Sequence, residues 1–205
     1  MAAINIYCVI ECSGSMADCA DDTLIGINAF VRNSEPDSRM SLYLFNNIVT
    51  TIYENIQVDM TEPLTSTKYR PNGATALLDA IGNTIKIAEK AQPTSWADSD
   101  DASKTIIVIL TDGNENASTK YTKPHINDLI ANKKLLGWSF VFMGANQDAI
   151  KTATELNISE ESSITFNTQN VENVLRSASH AVHRSMTTPG APIEFSQLER
   201  ATSIV

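Results

Sequence analysis

Ile4–Ile10 is an apolar run, interrupted only by Asn5 and containing Ile6, Val9 and Ile10, the pattern of a strand covered on both faces. It stops at Glu11-Cys12-Ser13-Gly14-Ser15, where small polar residues signal a turn into a helix. From about Ala17 to Arg32, Leu24, Ile27 and Val31 recur at three- and four-residue spacing and predict an amphipathic helix. Met40–Phe45 reads as a strand, Asn46-Asn47 as a hairpin turn, and Ile48–Glu54 as the returning strand, because Asn tolerates the left-handed conformation. After the loop Arg70-Pro71-Asn72-Gly73, a second helix is predicted from Thr75, with Ala76, Leu77, Ala80, Ile81, Ile85 and Ala88 on its apolar face. Thr105–Leu110 is β-branched and almost wholly apolar, a strand ending at Thr111-Asp112-Gly113. A helix over Lys123–Leu136 carries Pro124 in its first turn, where the missing N–H costs nothing. Then come a strand over Trp138–Met143, a short helix over Gln147–Leu156, a strand over Ser163–Phe166 and a helix over Val171–Met186.

Strands alternating with helices predict an α/β fold: a doubly wound, mostly parallel sheet with helices on both faces. The Asn46-Asn47 hairpin adds one antiparallel edge strand. The pattern divides the chain into a domain over residues 1–186 and an extension over 187–205. That extension contains Pro189, Gly190, Pro192 and a short turn near Ser196–Ala201. Its apolar residues Ile193, Phe195, Leu198 and Ile204 suit either docking on a neighbour or folding back onto the domain.

Composition narrows the function. With 15 basic and 24 acidic side chains in 205 residues, the net charge is −9. There is no Lys/Arg-dense stripe, which argues against nucleic acid and an anionic membrane as partners. No apolar run approaches the ~20 residues of a membrane span, and the first residues lack a basic and long apolar leader. The expected location is therefore cytoplasmic, or within a viral particle. Three cysteines without a secretion signal read as reduced thiols: Cys8 and Cys12, four residues apart on a strand, lie ~13 Å apart. Asp98, Asp100 and Asp101 lack the regular spacing of a calcium loop and are expected to be a solvated surface. His180 and His183 share a helix face at three-residue spacing and are expected to be surface residues.

In open α/β sheets, ligands bind beyond the carboxyl ends of the strands. Three polar clusters fall on that rim: Glu11-Cys12-Ser13-Gly14-Ser15, Gly73-Ala74-Thr75-Ala76 and Thr111-Asp112-Gly113. Singly, Ser13, Ser15 and Thr75 read as helix caps and Asp112-Gly113 as a turn. Together they offer carboxylates and hydroxyls, an oxygen-only set suited to Mg²⁺, Mn²⁺ or Ca²⁺.

At these residues the chain resembles the von Willebrand factor type A domain family, and most of all its intracellular bacterial or phage-type members. That family builds its metal ion-dependent adhesion site (MIDAS) from a DxSxS motif, a distant Thr and a distant Asp. Ser13 and Ser15 in ECSGS match the two serines, Thr75 in GATALLDAI matches the threonine, and Asp112 in LTDGNENAS matches the second acid. The resemblance extends over about residues 3–186 and includes Gly144-Ala145-Asn146-Gln147-Asp148. It implies a metal set of Glu11, Ser13, Ser15, Thr75 and Asp112, with Mg²⁺ as the first expectation. Glu11 departs from the pattern, which has Asp; its extra methylene moves the carboxylate by ~1.5 Å, so a weaker metal site is expected than an Asp version would give.

No nucleophile elbow, Walker-type loop or dinucleotide fingerprint is present, and the histidines lie far from Ser13 and Ser15. The expected function is a non-enzymatic protein-binding module that uses a cation to capture an acidic group on a partner. Loops around Ala17–Asp22, Pro71–Ala74 and Asn114–Tyr121 would set its specificity. The alternative is a structural or assembly component, for example of a phage particle, that keeps the fold with a degenerate metal site.

Overall fold

Strand β1 (Ile4–Glu11) runs parallel to β2 (Arg39–Phe45) on one side and to β4 (Lys104–Thr111) on the other. The computed structural model describes residues 4–91, 104–145, 148–188 and 190–204. The hairpin strand β3 (Val49–Gln57) pairs antiparallel with β2, while β5 (Ser139–Ala145) and β6 (Ser163–Phe166) continue the parallel sheet. The order is β3-β2-β1-β4-β5-β6, the doubly wound arrangement with one antiparallel edge that the hydrophobic pattern predicts.

Residue parity decides which helix each strand residue meets. On β1, Ile6, Cys8 and Ile10 face α1 (Ala20–Arg32) and α5 (Val171–Thr187), as do Ile106, Val108 and Leu110 on β4. The intervening Tyr7, Val9, Ile107 and Ile109 face α2 (Leu77–Ala91), α3 (Lys123–Leu135) and α4 (Ala149–Glu155). Both faces are covered, so the middles of β1 (Ile6–Ile10) and β4 (Ile106–Leu110) are apolar on both sides. Large side chains such as Phe30, Tyr43 and Phe142 are fully buried between the layers, each worth about 1.5–3 kcal/mol. Helices α1 and α5 touch at Gly26, where a Cβ would come within 2.7 Å of Leu175 Cδ1 and 3.1 Å of the Glu172 Cα. Continuing the parity, the last residues of β1 and β4, Glu11 and Thr111, point to the face that α2 covers.

Several boundaries differ from expectation. The segment predicted as the start of the first helix is a 3-10 turn over Gly14–Cys19, and the α-helix proper begins at Ala20. Helix α2 begins at Leu77, two residues after Thr75, whose hydroxyl is engaged elsewhere. The 93–103 loop with its three aspartates lies outside the described residues, as do Asn146 and Gln147.

Of the two readings for the C-terminal segment, the structure shows folding back. Ile193 and Phe195 are buried against the α1/α5 face. Helix α6 (Gln197–Ser203) opens with a full capping box between Ser196 and Glu199 and lies along β6. There Arg200 donates to the Ser163 carbonyl at 2.7 Å, Ser203 Oγ donates to the Thr165 carbonyl at 2.7 Å, and the Asn167 amide donates to the Ser203 carbonyl at 2.9 Å. His183 Nδ1 sits 2.9 Å from Glu35 Oε1, joining α5 to the segment before β2, while His180 is exposed. Among the described residues, no helix is long and apolar enough to cross a membrane.

Candidate metal centre

The rim is assembled by backbone before any side chain is considered. As the chain leaves β1, the Cys12 amide donates to the Phe45 carbonyl at 2.6 Å, and the Cys12 carbonyl accepts from the Asn72 amide at 3.0 Å. The buried Tyr69 hydroxyl holds the Glu11 carbonyl at 2.8 Å. The Gly14 amide then donates to the Gly73 carbonyl at 3.1 Å. Gly73 has φ +78°, and a Cβ there would come within 2.4 Å of Asn47 Oδ1, so this tight crossing of two loops needs glycine. The hairpin tip completes the frame: Asn47 Oδ1 accepts from the Ala74 amide at 2.8 Å, and the Asn46 carbonyl accepts from the Ala76 amide at 2.9 Å.

This frame brings all five expected residues together in two short chains of hydrogen bonds. In the first, Ser13 Oγ and Ser15 Oγ are 2.9 Å apart, and Ser15 Oγ donates to Asp112 Oδ1 at 2.7 Å. In the second, Thr75 Oγ1 donates to Glu11 Oε1 at 2.6 Å, while Glu11 Oε2 accepts from Thr111 Oγ1 and, at 3.0 Å, from the Asp112 amide. Glu11 is wholly buried, and Ser13, Thr75 and Asp112 are buried, whereas Ser15 is exposed. Burial, with the Glu11 carboxylate adding to it, pushes the Asp112 carboxyl above its ordinary range, against the opposing pull of the Ser15 hydroxyl. The hydroxyls are not serving as helix caps: Ser13 makes no side-chain cap bond, and Thr75 is turned to Glu11.

The first-turn amides of α2 are capped instead by the β4–α3 loop. Glu115 Oε2 accepts from the Leu78 amide at 2.9 Å, and Ser118 Oγ accepts from the Asp79 amide at 3.0 Å. Asp79 in turn accepts from the amides of Thr119, Lys120 and Tyr121 at 2.9–3.0 Å. Burial alone would raise its carboxyl, but those three amides outweigh it and hold Asp79 below the usual carboxylate value. Asn116 Oδ1 accepts from the Thr75 amide at 2.9 Å, tying this loop to the rim.

The donor set suits a hard divalent cation. Neighbouring oxygens in an octahedron of radius 2.0–2.1 Å lie about 2.9 Å apart, and the Ser13–Ser15 and Ser15–Asp112 separations are 2.9 and 2.7 Å. A Cβ built on Gly113 would stand 3.6 Å from Thr75 Oγ1 and 3.9 Å from Glu11 Oε1, so the glycine leaves space beside that hydroxyl. Among the described residues, no group of three or more His, Cys, Asp or Glu side chains gathers as a soft or carboxylate-rich metal site. The three cysteines are free and buried, and burial pushes each thiol up, away from the thiolate a zinc site would need.

Pattern reading put Thr111 on the rim without a role, and it missed the bonding roles of Asp79, Glu115 and Asn116. Thr111 carried a signal: it is a polar residue at the end of an apolar strand, in phase with the covered Ile107 and Ile109.

A model of the von Willebrand factor type A domain matches residues 5–180. The fold is similar to that of a von Willebrand factor type A protein from Catenulispora acidiphila, with a TM-score of 0.63 and 14% identity over 87% of this chain and 42% of that one. It is similar to the ArnB paralog VWA2 from Sulfolobus acidocaldarius, at 0.57 and 18% over 87% and 45%. It is also similar to proximal thread matrix protein 1 from the mussel byssus with a zinc-occupied MIDAS motif, at 0.57 and 16% over 87% and 46%. The chain thus spans less than half the length of these structures. A comparison with curated protein sequences gives no match.

Proposed function

The chain belongs to the von Willebrand factor type A domain family, and from that premise we propose that it is a cation-dependent module that binds a protein through an acidic side chain. The family's domains are commonly interaction modules rather than enzymes. The observation that carries the reading is the string of Ser13, Ser15 and Asp112 oxygens, hydrogen-bonded in sequence at 2.9 and 2.7 Å on an otherwise backbone-locked rim, separations that the coordination sphere of a small divalent ion also accommodates. Ser13, Ser15, Thr75 and Asp112 would hold the ion, Mg²⁺ before Mn²⁺ or Ca²⁺ by donor chemistry. A bound divalent cation would supply the positive charge that lets an acidic partner approach a chain of net charge −9. The mussel protein with zinc in the corresponding motif supports such an occupancy in this fold.

The chain's own residues do the rest. Ser15 is exposed and offers the open side of the rim, while Ser13 and Asp112 sit behind it. The 3-10 turn and start of α1 around Ala17–Asp22, with the loops around Pro71–Ala74 and Asn114–Tyr121, would choose among partners. Calorimetric titration with MgCl₂ and MnCl₂ tests the reading. Saturable binding is expected for the natural chain and its loss with Ser13→Ala combined with Ser15→Ala; no heat for the natural chain sinks it. One observation favours a second reading, a structural part with a degenerate site: Glu11 satisfies both its oxygens with protein donors alone. Silent titration would favour that one.

A further inference from the structure

We propose that Glu11 is a positioning residue of the rim that fixes the direction of the Thr75 hydroxyl, and is not itself a ligand of the cation. The inference rests on the cation reading above for its functional meaning, and on geometry for its substance. A hydroxyl has one proton to give. Thr75 gives it to Glu11 Oε1 at 2.6 Å, so its lone pairs are left for the open side of the rim. Thr111 gives its proton to Glu11 Oε2, and the Asp112 amide donates to the same oxygen at 3.0 Å, which places the start of the Asp112 segment. One wholly buried carboxylate thus sets three groups, two of which belong to the candidate cation site. Its reach explains why Glu and not Asp stands here: shortening the side chain by ~1.5 Å breaks contact with at least one of the three donors.

A ligand and a positioning residue differ when no metal is present. Carboxylates gathered to hold an ion repel one another without it, so neutralising one raises stability. A carboxylate saturated by donors behaves in the opposite way. In EDTA, Glu11→Gln and Glu11→Asp are each expected to lower Tm by about 4–8 °C, the size of losing charge-assisted bonds in a domain of this length. The hydroxyl-proton resonances of Thr75 and Thr111, sheltered in the natural protein, are expected to disappear from the NMR spectrum of Glu11→Gln. An unchanged or raised Tm in either variant overturns the proposal.

With Mn²⁺, the expected result is non-additive. Glu11→Gln turns its amide toward Thr75, which then accepts and presents its proton outward, so Glu11→Gln and Thr75→Val lose affinity through one and the same hydroxyl. The double variant should bind Mn²⁺ no more weakly than Thr75→Val alone, whereas a ligand role makes the two losses multiply. A crystal soaked in Mn²⁺ with a Glu11 oxygen at bonding distance from the metal would also overturn the proposal. Failure of the natural chain to bind Mn²⁺ at all refutes the cation reading and leaves the EDTA melts and hydroxyl resonances to decide the role of Glu11.

Discussion

Two carboxylate centres lie side by side on the same rim, and they are made from different donors. Glu11 is surrounded by two threonine hydroxyls and one amide, while Asp79 takes three consecutive amides from the loop that enters α3. Glu115 resembles Asp79, accepting from the amides of Leu78, Ala117 and Ser118 and from the Ser118 hydroxyl. An amide that has donated has nothing more to offer. A hydroxyl that has donated still has lone pairs, so on the proposed cation reading the Thr75 oxygen at the Glu11 centre would face the ion. Asp79 has amide donors, and the one hydroxyl on Glu115, that of Ser118, already accepts from the Asp79 amide, so this centre holds the chain together. Donor type, more than the number of acids, separates a site from a lock.

The comparison can be broken most decisively at the serines. Ser13→Ala with Ser15→Ala should weaken Mn²⁺ binding by more than about tenfold with Tm nearly unchanged; a large fall in Tm would make the serines part of the lock. Asp79→Asn should do the reverse, costing about 2–3 kcal/mol in urea unfolding and leaving Mn²⁺ affinity untouched. Because the folded Asp79 carboxyl is depressed, its stabilisation is complete above the ordinary value near 4 and drains away as pH falls through the lower folded value. Asp79→Asn should therefore flatten the acid limb of a stability–pH curve. Glu115→Gln, which keeps one acceptor, is expected to cost about 1–2 kcal/mol by the same urea measurement. The smallest effect belongs to Gly113→Ala, whose methyl fits beside Thr75 Oγ1 at 3.6 Å. Stability should hold while Mn²⁺ titration shows slightly weaker binding, since the methyl narrows the space next to that hydroxyl.

Much of this was legible in the chain. Apolar runs at β1, β4 and β5 announced strands buried on both faces, and the helical spacing of α1, α2 and α5 supplied their covers. Glu11, Ser13, Ser15, Thr75 and Asp112 could be assigned to one rim because each ends a strand or precedes a helix. What pattern did not show was who bonds to whom. The partnership of Glu11 with Thr111 spans 100 residues and follows only from β1 and β4 being neighbours with matched parity. Capping of α2 by Glu115 was hidden because Thr75 was the obvious local cap, and local bonding lost to a buried carboxylate that needed the same hydroxyl. The 3-10 turn after Ser13 has the same origin, since the chain there must satisfy the Gly73 crossing before it can coil.

The way α6 lies along β6 bears on how copies of this domain can meet. The outward carbonyls of Ser163 and Thr165 accept from Arg200 and Ser203, and α6 lies along that margin of the sheet, where a further strand would have to pair. The opposite margin, β3, ends the sheet order and is lined by half-exposed and exposed residues. A sheet sealed at one margin cannot propagate. Two molecules joined through β3 would form a closed twofold pair whose outer margins are both capped, and strand-by-strand polymerisation would stop at two.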